Sequence, residues 1–274
     1  LAVDFDIPDE QRYREPRQAE ARYALDGEDT HDRSHIVLGW LLGPNTDPAG
    51  VMRARVLADV LLDNSSSPLR QALETCGLGS APSPLCGFDD NTRETTFVCG
   101  LEGTDPEHAE ALEKRILDTL QRVAEEGVPQ ETVAAVLHQL ELSQREVTGD
   151  GFPYGLQLLL TALTPAIHRG DPAMALDLDA LLPPLRQEIH NPRFIPDLVR
   201  ELLLDNPHRV RLVMRPDPEL GAERQAAEQT RLAALAAQLD APARSAIQQR
   251  AEALEARQHQ EDDPELLPRV TLDD

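Results

Sequence analysis

The chain has 274 residues, 41% of them hydrophobic but only 3% aromatic, and a formal net charge of −23. That length and composition allow one large domain, or one domain with an appendage, around an aliphatic core of Leu, Val and Ala. The negative balance excludes a nucleic-acid partner, which needs a positive face, and no apolar run reaches the ~20 residues of a membrane span.

Lys114 is the only lysine, so arginine carries almost all the positive charge. With abundant Ala and Leu, that usage suggests a GC-rich bacterial source. The chain opens on Leu1 without a basic-then-apolar leader, and it reads as an excised piece of a cytoplasmic protein. Cys76, Cys86 and Cys99 are odd in number and form no CxxC pair, which fits reduced, mostly buried thiols.

Residues 1–16 are polar and aperiodic, a lead-in. Arg17 to Leu25 alternates weakly, and after the loop DGEDTHD the run His35 to Leu42 reads as a buried strand. The two together are expected to form a β-hairpin with a long loop. Asp47 and Pro48 supply a cap and first position for a helix over Ala49 to Leu62, with Met52, Val56, Leu57, Val60 and Leu61 inward. The run Asp63 to Ser67 then offers turn chemistry, with Ser67 as a cap, Pro68 opening the next helix, and Leu69 starting its apolar face. Gly77 and Gly79 end that helix.

Ser80 to Asp90 reads as loop or short strand. Thr92 to Gly103 is a strand, with Thr96, Val98 and Gly100 on one face and Phe97, Cys99 and Leu101 on the other. Asp105-Pro106-Glu107 opens a long helix to Glu126, acidic in its first turn as the helix dipole favours. A helix over Thr132 to Val147 follows, broken at Gly149-Asp150-Gly151. Leu156 to Ile167 is an apolar helix that Pro165 interrupts, and shorter helices lie between Pro172 and Asp205. Arg209 to Met214 alternates strictly and is a strand closed by Pro216 and Pro218.

After Pro218 the composition turns to Ala, Glu, Gln and Leu. Glu219 to Asp240 and Ala243 to Gln260 are expected to form an antiparallel helical hairpin, with Leu232, Leu235 and Leu239 against Ile247, Ala251 and Leu254. Exposed on excision, this seam is expected to support weak homo-association. The order of elements suits an α+β fold, a two-layer sandwich of a mainly antiparallel sheet with helices on one face. Its expected bounds are 17–216, with the hairpin over 217–262 and a tail over 263–274.

Candidate chemistry is sparse. His31 and His35 lie four apart but flank Asp32-Arg33-Ser34 at a strand entry, without the glutamate of a zinc-protease motif. His138-Gln139-Leu140-Glu141-Leu142 is HxxE with leucine where a second histidine belongs, and His138 and Glu141 read as a surface pair. Ser65, Ser66 and Ser67 lack a GxSxG elbow. The doublets Asp89-Asp90 and Glu125-Glu126 read as solvated charge. Gly77, Gly79, Gly87 and Gly100 read as turn and close-packing glycines rather than a phosphate cradle. No residue is assigned to catalysis, to a cofactor or to a metal.

Taken in order, the stretch Leu57 to Gly79, the GFDD at Gly87, TTFVCGLEG ending at Gly103, HQLELSQRE from His138 and LLLDNPHRVRLVMRPDPEL from Leu202 resemble the second domain of the presequence-protease branch of the pitrilysin-type zinc metallopeptidases. The resemblance covers nearly the whole chain through the ordered set, since no single motif is specific. It implies a four-domain clamshell whose first domain carries the zinc motif HxxEH, which this chain lacks. In that family the motif lies on the first long helix after the opening hairpin, and here that helix holds no histidine. By resemblance, then, the chain is a non-catalytic second domain with the hairpin that joins the two halves. No cofactor belongs to it, and zinc is expected in a missing first domain. Its partners would be the remaining domains and the peptide substrates of the longer protein, and the phrase near Leu267 would lead into a third domain. Two alternatives are a zinc-free homologue serving as a core subunit of an assembly, and a free-standing acidic helical adaptor.

Overall fold

A strand of eleven residues, β2 (Ser34–Pro44), is the centre of the fold. The computed structural model describes residues 7–146 and 153–261, so the breaks at Gly149–Gly151 and the tail over 263–274 lie outside the described residues. Before β2 comes β1 (Arg17–Ala24), and after it α1 (Pro48–Leu62), α2 (Pro68–Glu74) and the short β3 (Ala81–Pro82) and β4 (Gly87–Asp89). Next are β5 (Glu94–Thr104), α3 (Ala109–Glu126), α4 (Gln130–Arg145), α5 (Tyr154–Ala166), α6 (Pro172–Leu176), α7 (Leu178–Glu188) and α8 (Phe194–Val199), which continues into a π-turn over Arg200–Leu204. The chain closes with β6 (Arg209–Asp217), α9 (Leu220–Gln238) and α10 (Ala241–Gln258). Two compact units divide between Pro218 and Glu219.

The sheet runs β1-β6-β2-β5-β3, with β4 also on β5. All pairings are antiparallel except β1 with β6. This is the mainly antiparallel α+β sandwich read from the sequence, but the opening hairpin is not formed. β6 inserts between β1 and β2. The reason lies in the side chains: β1 is largely exposed and β2 is buried, so β1 suits an edge, whereas β2 needs a paired strand on both sides.

Alternation along the strands separates the two faces. Ile36, Leu38, Trp40 and Leu42 of β2 join Phe97, Cys99 and Leu101 of β5 and Val213 of β6 in one core with α1, α2, α3, α4, α7 and α8. At its middle Trp40, 1% exposed, packs beside Phe97 with ring centres 5.8 Å apart. The Trp40 indole N–H donates to the Leu203 carbonyl at 2.8 Å, which gives a partner to a carbonyl of the π-turn. Arg209 and Arg211 of β6 face the same side and pair with Glu113 of α3 at 3.4 and 2.8 Å.

Asp47 caps α1, accepting from the Gly50 amide at 3.1 Å. Ser67 stands ahead of α2 in extended conformation, but the forward cap expected of it is not made. Its hydroxyl turns back and accepts from the Asn64 amide at 3.3 Å, because the tight Asx-turn at Asn64 brings that donor nearer. Pro68 and Leu69 open α2, and Leu69 is fully buried.

In the second unit α9 and α10 are joined at Leu239–Asp240, where Asp240 caps α10 through the Ala243 amide at 2.8 Å. The Arg244 guanidinium reaches back to the carbonyls of Ala236 (2.7 Å) and Leu239 (3.2 Å), and so satisfies open carbonyls at the end of α9. Two helices joined by a tight turn are therefore present, as expected, but the antiparallel seam between them is not formed. The two helices do not pack along their lengths, and Leu232, Leu235, Ile247 and Leu254 are each about half exposed. Alanine-rich faces bury too little apolar area to hold two helices together.

Candidate functional surface

Opposite the core, the sheet shows a second face. Val37 and Leu41 of β2, Val98 of β5, and Val210, Leu212 and Met214 of β6 alternate with the core residues and fall outside the core cluster. All but Val37 are only half-buried. Two glycines keep this face low: Gly100 lies opposite Val37, and Gly39 opposite Val98. A Cβ on Gly100 would meet the Ile36 carbonyl oxygen at 2.1 Å and the Val37 Cα at 2.6 Å. At the rim, a Cβ on Gly79 would come within 3.0 Å of the Glu102 carbonyl oxygen. The face is thus low and aliphatic at its middle, with Thr96 toward one end and the facing pair His35 and Glu102 toward the other.

One end of the sheet is closed by the lead-in. Residues 7–16 adopt neither helix nor strand, yet they are bound to β2, to β5 and to His208 just ahead of β6. Arg12 donates to the Leu41 and Leu42 carbonyls at 3.0 and 2.6 Å and pairs with the buried Glu94 at 2.5 Å. Tyr13 stacks on His208 at 3.8 Å with Arg17 over its other side, and its amide donates to His208 Nδ1 at 3.3 Å. Sequence reasoning missed this clasp. The signal available was an aromatic and an arginine inside an otherwise featureless polar stretch.

Burial, with Arg12 nearby, holds the His208 pKa below the usual histidine value. In the released chain the ring takes up a proton below about pH 6.5, while the clasped ring does so only at lower pH. Clasp stability is therefore complete above that pH and is lost as pH falls below it, by up to about tenfold per unit. Hydrogen exchange of residues 9–16, corrected for intrinsic rates, is expected to accelerate between about pH 7 and 5.5. His208→Gln, which accepts but does not charge, should flatten that dependence. An equally steep dependence in the variant would refute the assignment to His208.

The histidines singled out in the sequence do not converge. His31 Nδ1 lies 2.6 Å from Asp105 Oδ2, while His35 lies 3.9 Å from Glu102. Ligating atoms of His31, Asp32 and Asp105 fall within 4.8 Å of one another. However, Asp105 also accepts the Asp32 amide at 2.9 Å, and the group closes a loop that turns at Asp32 (φ 53°). The expected His138–Glu141 pair is replaced. Glu141 instead holds Arg145 at 3.0 Å and also pairs with Arg186, since guanidinium groups make strong charge-assisted hydrogen bonds to a carboxylate. On α1, where the resemblance places zinc ligands, Met52, Val56, Leu57, Val60 and Leu61 are core residues. α1 therefore offers no histidine to a catalytic zinc, which takes three protein ligands and an open position. Cys76, Cys86 and Cys99 are free thiols, and burial pushes the Cys86 and Cys99 pKa values up, away from reactivity. Among the described residues no helix is long and apolar enough to cross a membrane.

A cleft of about 650 Å³ lies on the helical side, bordered by α1, α4, α5 and α6. Asn45 donates across one end of it to the Thr164 carbonyl at 3.3 Å. The outer turns of α5 are exposed despite their leucines.

Residues 5–140 match the family described as the peptidase M16 inactive domain, and residues 214–274 the associated segment of subfamily C of the same peptidases. The chain is similar to the mitochondrial presequence protease of Xenopus laevis, with 28% identity over 98% of this chain and 26% of that protein. It is also similar to presequence protease 1, chloroplastic/mitochondrial, of Arabidopsis thaliana, with 30% identity over 96% of this chain and 25% of that protein. It thus spans about a quarter of the length of these curated relatives. Among solved structures, the peptidase M16 inactive domain from Pseudomonas fluorescens superposes with a TM-score of 0.53 at 15% identity, covering 79% of this chain and 47% of that one. An inactive peptidase domain from Bordetella parapertussis gives 0.52 at 17% identity, covering 70% and 95%. At such identities the structural likeness speaks for the fold alone.

Proposed function

Because the chain belongs to the M16 peptidase family, as its inactive domain with the subfamily C associated segment behind it, we propose that it forms a non-catalytic wall of a peptide-enclosing chamber in a longer zinc metalloendopeptidase. In this reading the zinc, the HxxEH motif and the hydrolytic water belong to a preceding domain, and the substrates are short unstructured peptides. This chain contributes shape and support. The observation that carries the proposal is the aliphatic sheet face of Val37, Leu41, Val98, Val210, Leu212 and Met214. A sheet with helices on one side only leaves its other side to line a space, and a lining that is low and aliphatic at its middle accepts extended peptides of varied sequence.

The test is made in the longer polypeptide, with the native cysteines replaced by serine. Cysteines at Val98 and Leu212 are expected to react slowly with a bulky maleimide while the chamber is closed. One at Leu142, 57% exposed on α4, should react fast throughout. Equal rates at the three positions would refute the wall assignment. By itself the chain is expected to hydrolyse no fluorogenic peptide, with or without added zinc, because the donor set for that metal is missing from α1.

A further inference from the structure

At the β4 edge of the sheet two thiols face each other. β4 pairs with β5 as Gly87↔Val98, Phe88↔Phe97 and Asp89↔Thr96, and one residue before β4 that register brings Cys86 opposite Cys99. The turn over Ser83–Cys86 is closed by the Cys86 amide on the Ser83 carbonyl at 3.0 Å, and the Ser83 amide donates to the Gly100 carbonyl at 2.9 Å. Cys86 is therefore held against β5 from both sides. Both side chains turn to the core: Cys99 is fully buried in it, and the half-buried Cys86 packs against it. Cys86 Sγ accepts from the Gly100 amide at 3.3 Å, which sets the sulfur beside the residue that follows Cys99. Facing residues of antiparallel strands have Cα atoms about 4.5–5.5 Å apart, inside the ~4.4–6.8 Å that a disulfide spans.

We propose that Cys86 and Cys99 are a redox couple that closes to an intrachain disulfide when oxidised glutathione is in excess. Access sets the order of events. Cys86 lies behind the exposed turn residues Pro84 and Leu85, whereas Cys99 is sealed in the core. The Cys86 thiolate attacks one sulfur of oxidised glutathione and expels one glutathione. Cys99 then gives up its proton, attacks Cys86 Sγ and expels the second glutathione. The chain loses two electrons and two protons, and the two glutathione thiols released take them up. Burial raises the pKa of both cysteines, and at Cys86 the Gly100 amide works against that rise. The couple thus rests reduced and closes slowly at neutral pH, with Cys86 the first to react. Cys76, past the end of α2, donates to the Leu73 carbonyl at 3.2 Å and takes no part. Once formed, the bond ties β4, only three residues long, covalently to β5.

The test uses the chain carrying Cys76→Ser, in which only this pair remains. The folded chain is incubated with excess oxidised glutathione, then denatured and alkylated. It should show no free thiol and weigh two hydrogens less than the reduced chain. Trypsin should release residues 71–93 joined to residues 94–114, and a reductant should separate them. The rate should rise about tenfold per pH unit between about pH 7 and 8.5, as the thiolate fraction does. Oxidation should raise the melting temperature by a few degrees, reversed on reduction. In the unaltered chain one thiol, that of Cys76, should stay free. Cys86→Ser should leave Cys99 reduced in the same mixture, and glutathione attached to Cys99 there would overturn the assigned order. A mixed disulfide at Cys86 that goes no further, two thiols still free after long exposure, or linkage only in the unfolded chain would overturn the couple itself.

Discussion

Gly100→Ala is expected to destabilise the first unit by about 3 kcal/mol or more, whereas Gly39→Ala, on the neighbouring strand and the same sheet face, should stay within about 1 kcal/mol of the parent. The contrast is geometric. At Gly100 the added carbon would sit 2.1 Å from the Ile36 carbonyl oxygen and 2.6 Å from the Val37 Cα. Those are backbone atoms of β2, and they can retreat only by opening the ladder between the two longest strands. At Gly39 the nearest atom is Val98 Cγ2 at 3.8 Å, an ordinary contact, and alanine also restricts the unfolded chain. Urea midpoints read through tryptophan fluorescence would decide. Equal shifts for the two variants would mean that β5 does not lie as close to β2 as described.

Trp40→Ala should cost about 3–5 kcal/mol, the loss of a large buried aromatic with its cavity. Trp40→Phe should cost less but still about 1–3 kcal/mol, because the Leu203 carbonyl loses its donor while the ring volume is mostly kept. Since Trp40 is the only tryptophan and 1% exposed, emission of the parent should be blue-shifted and move red on unfolding. If Trp40→Phe and the parent melt together, the indole bond to the π-turn contributes nothing.

Much of this was legible from local pattern. The run His35 to Leu42 announced a buried strand because apolar residues fall on both of its faces, and the Asp47-Pro48 pair placed the start of α1 through chemistry confined to a few residues. What failed depended on partners distant in sequence. Neighbouring strands pair roughly two-thirds of the time, which made a β1–β2 hairpin reasonable, yet nothing near Arg17 reveals that Val210 will lie beside it. Likewise Glu141 looked paired with His138, whereas its partners are Arg145 one turn on in the same helix and Arg186, which arrives from α7. The α5 leucines showed the period of a helix, but periodicity does not say whether anything covers the stripe. The hairpin showed helix propensity in α9 and α10. Whether two helices close on each other depends on side-chain volume, and alanine supplies little.

The position of β6 between β1 and β2 sets a schedule for synthesis. Every pairing of β1 is with residues Val210 to Asp217, so a nascent chain keeps an unpaired β1 and an open edge on β2 until almost the whole first unit has left the ribosome. Closure then joins residues nearly two hundred apart, a long-range step that slows folding. Until it happens, the exposed strand edges are open to wrong pairing with other chains. The cell therefore meets this unit either finished or vulnerable, and a truncation that removes β6 should behave less like a shortened domain than like one that never closed.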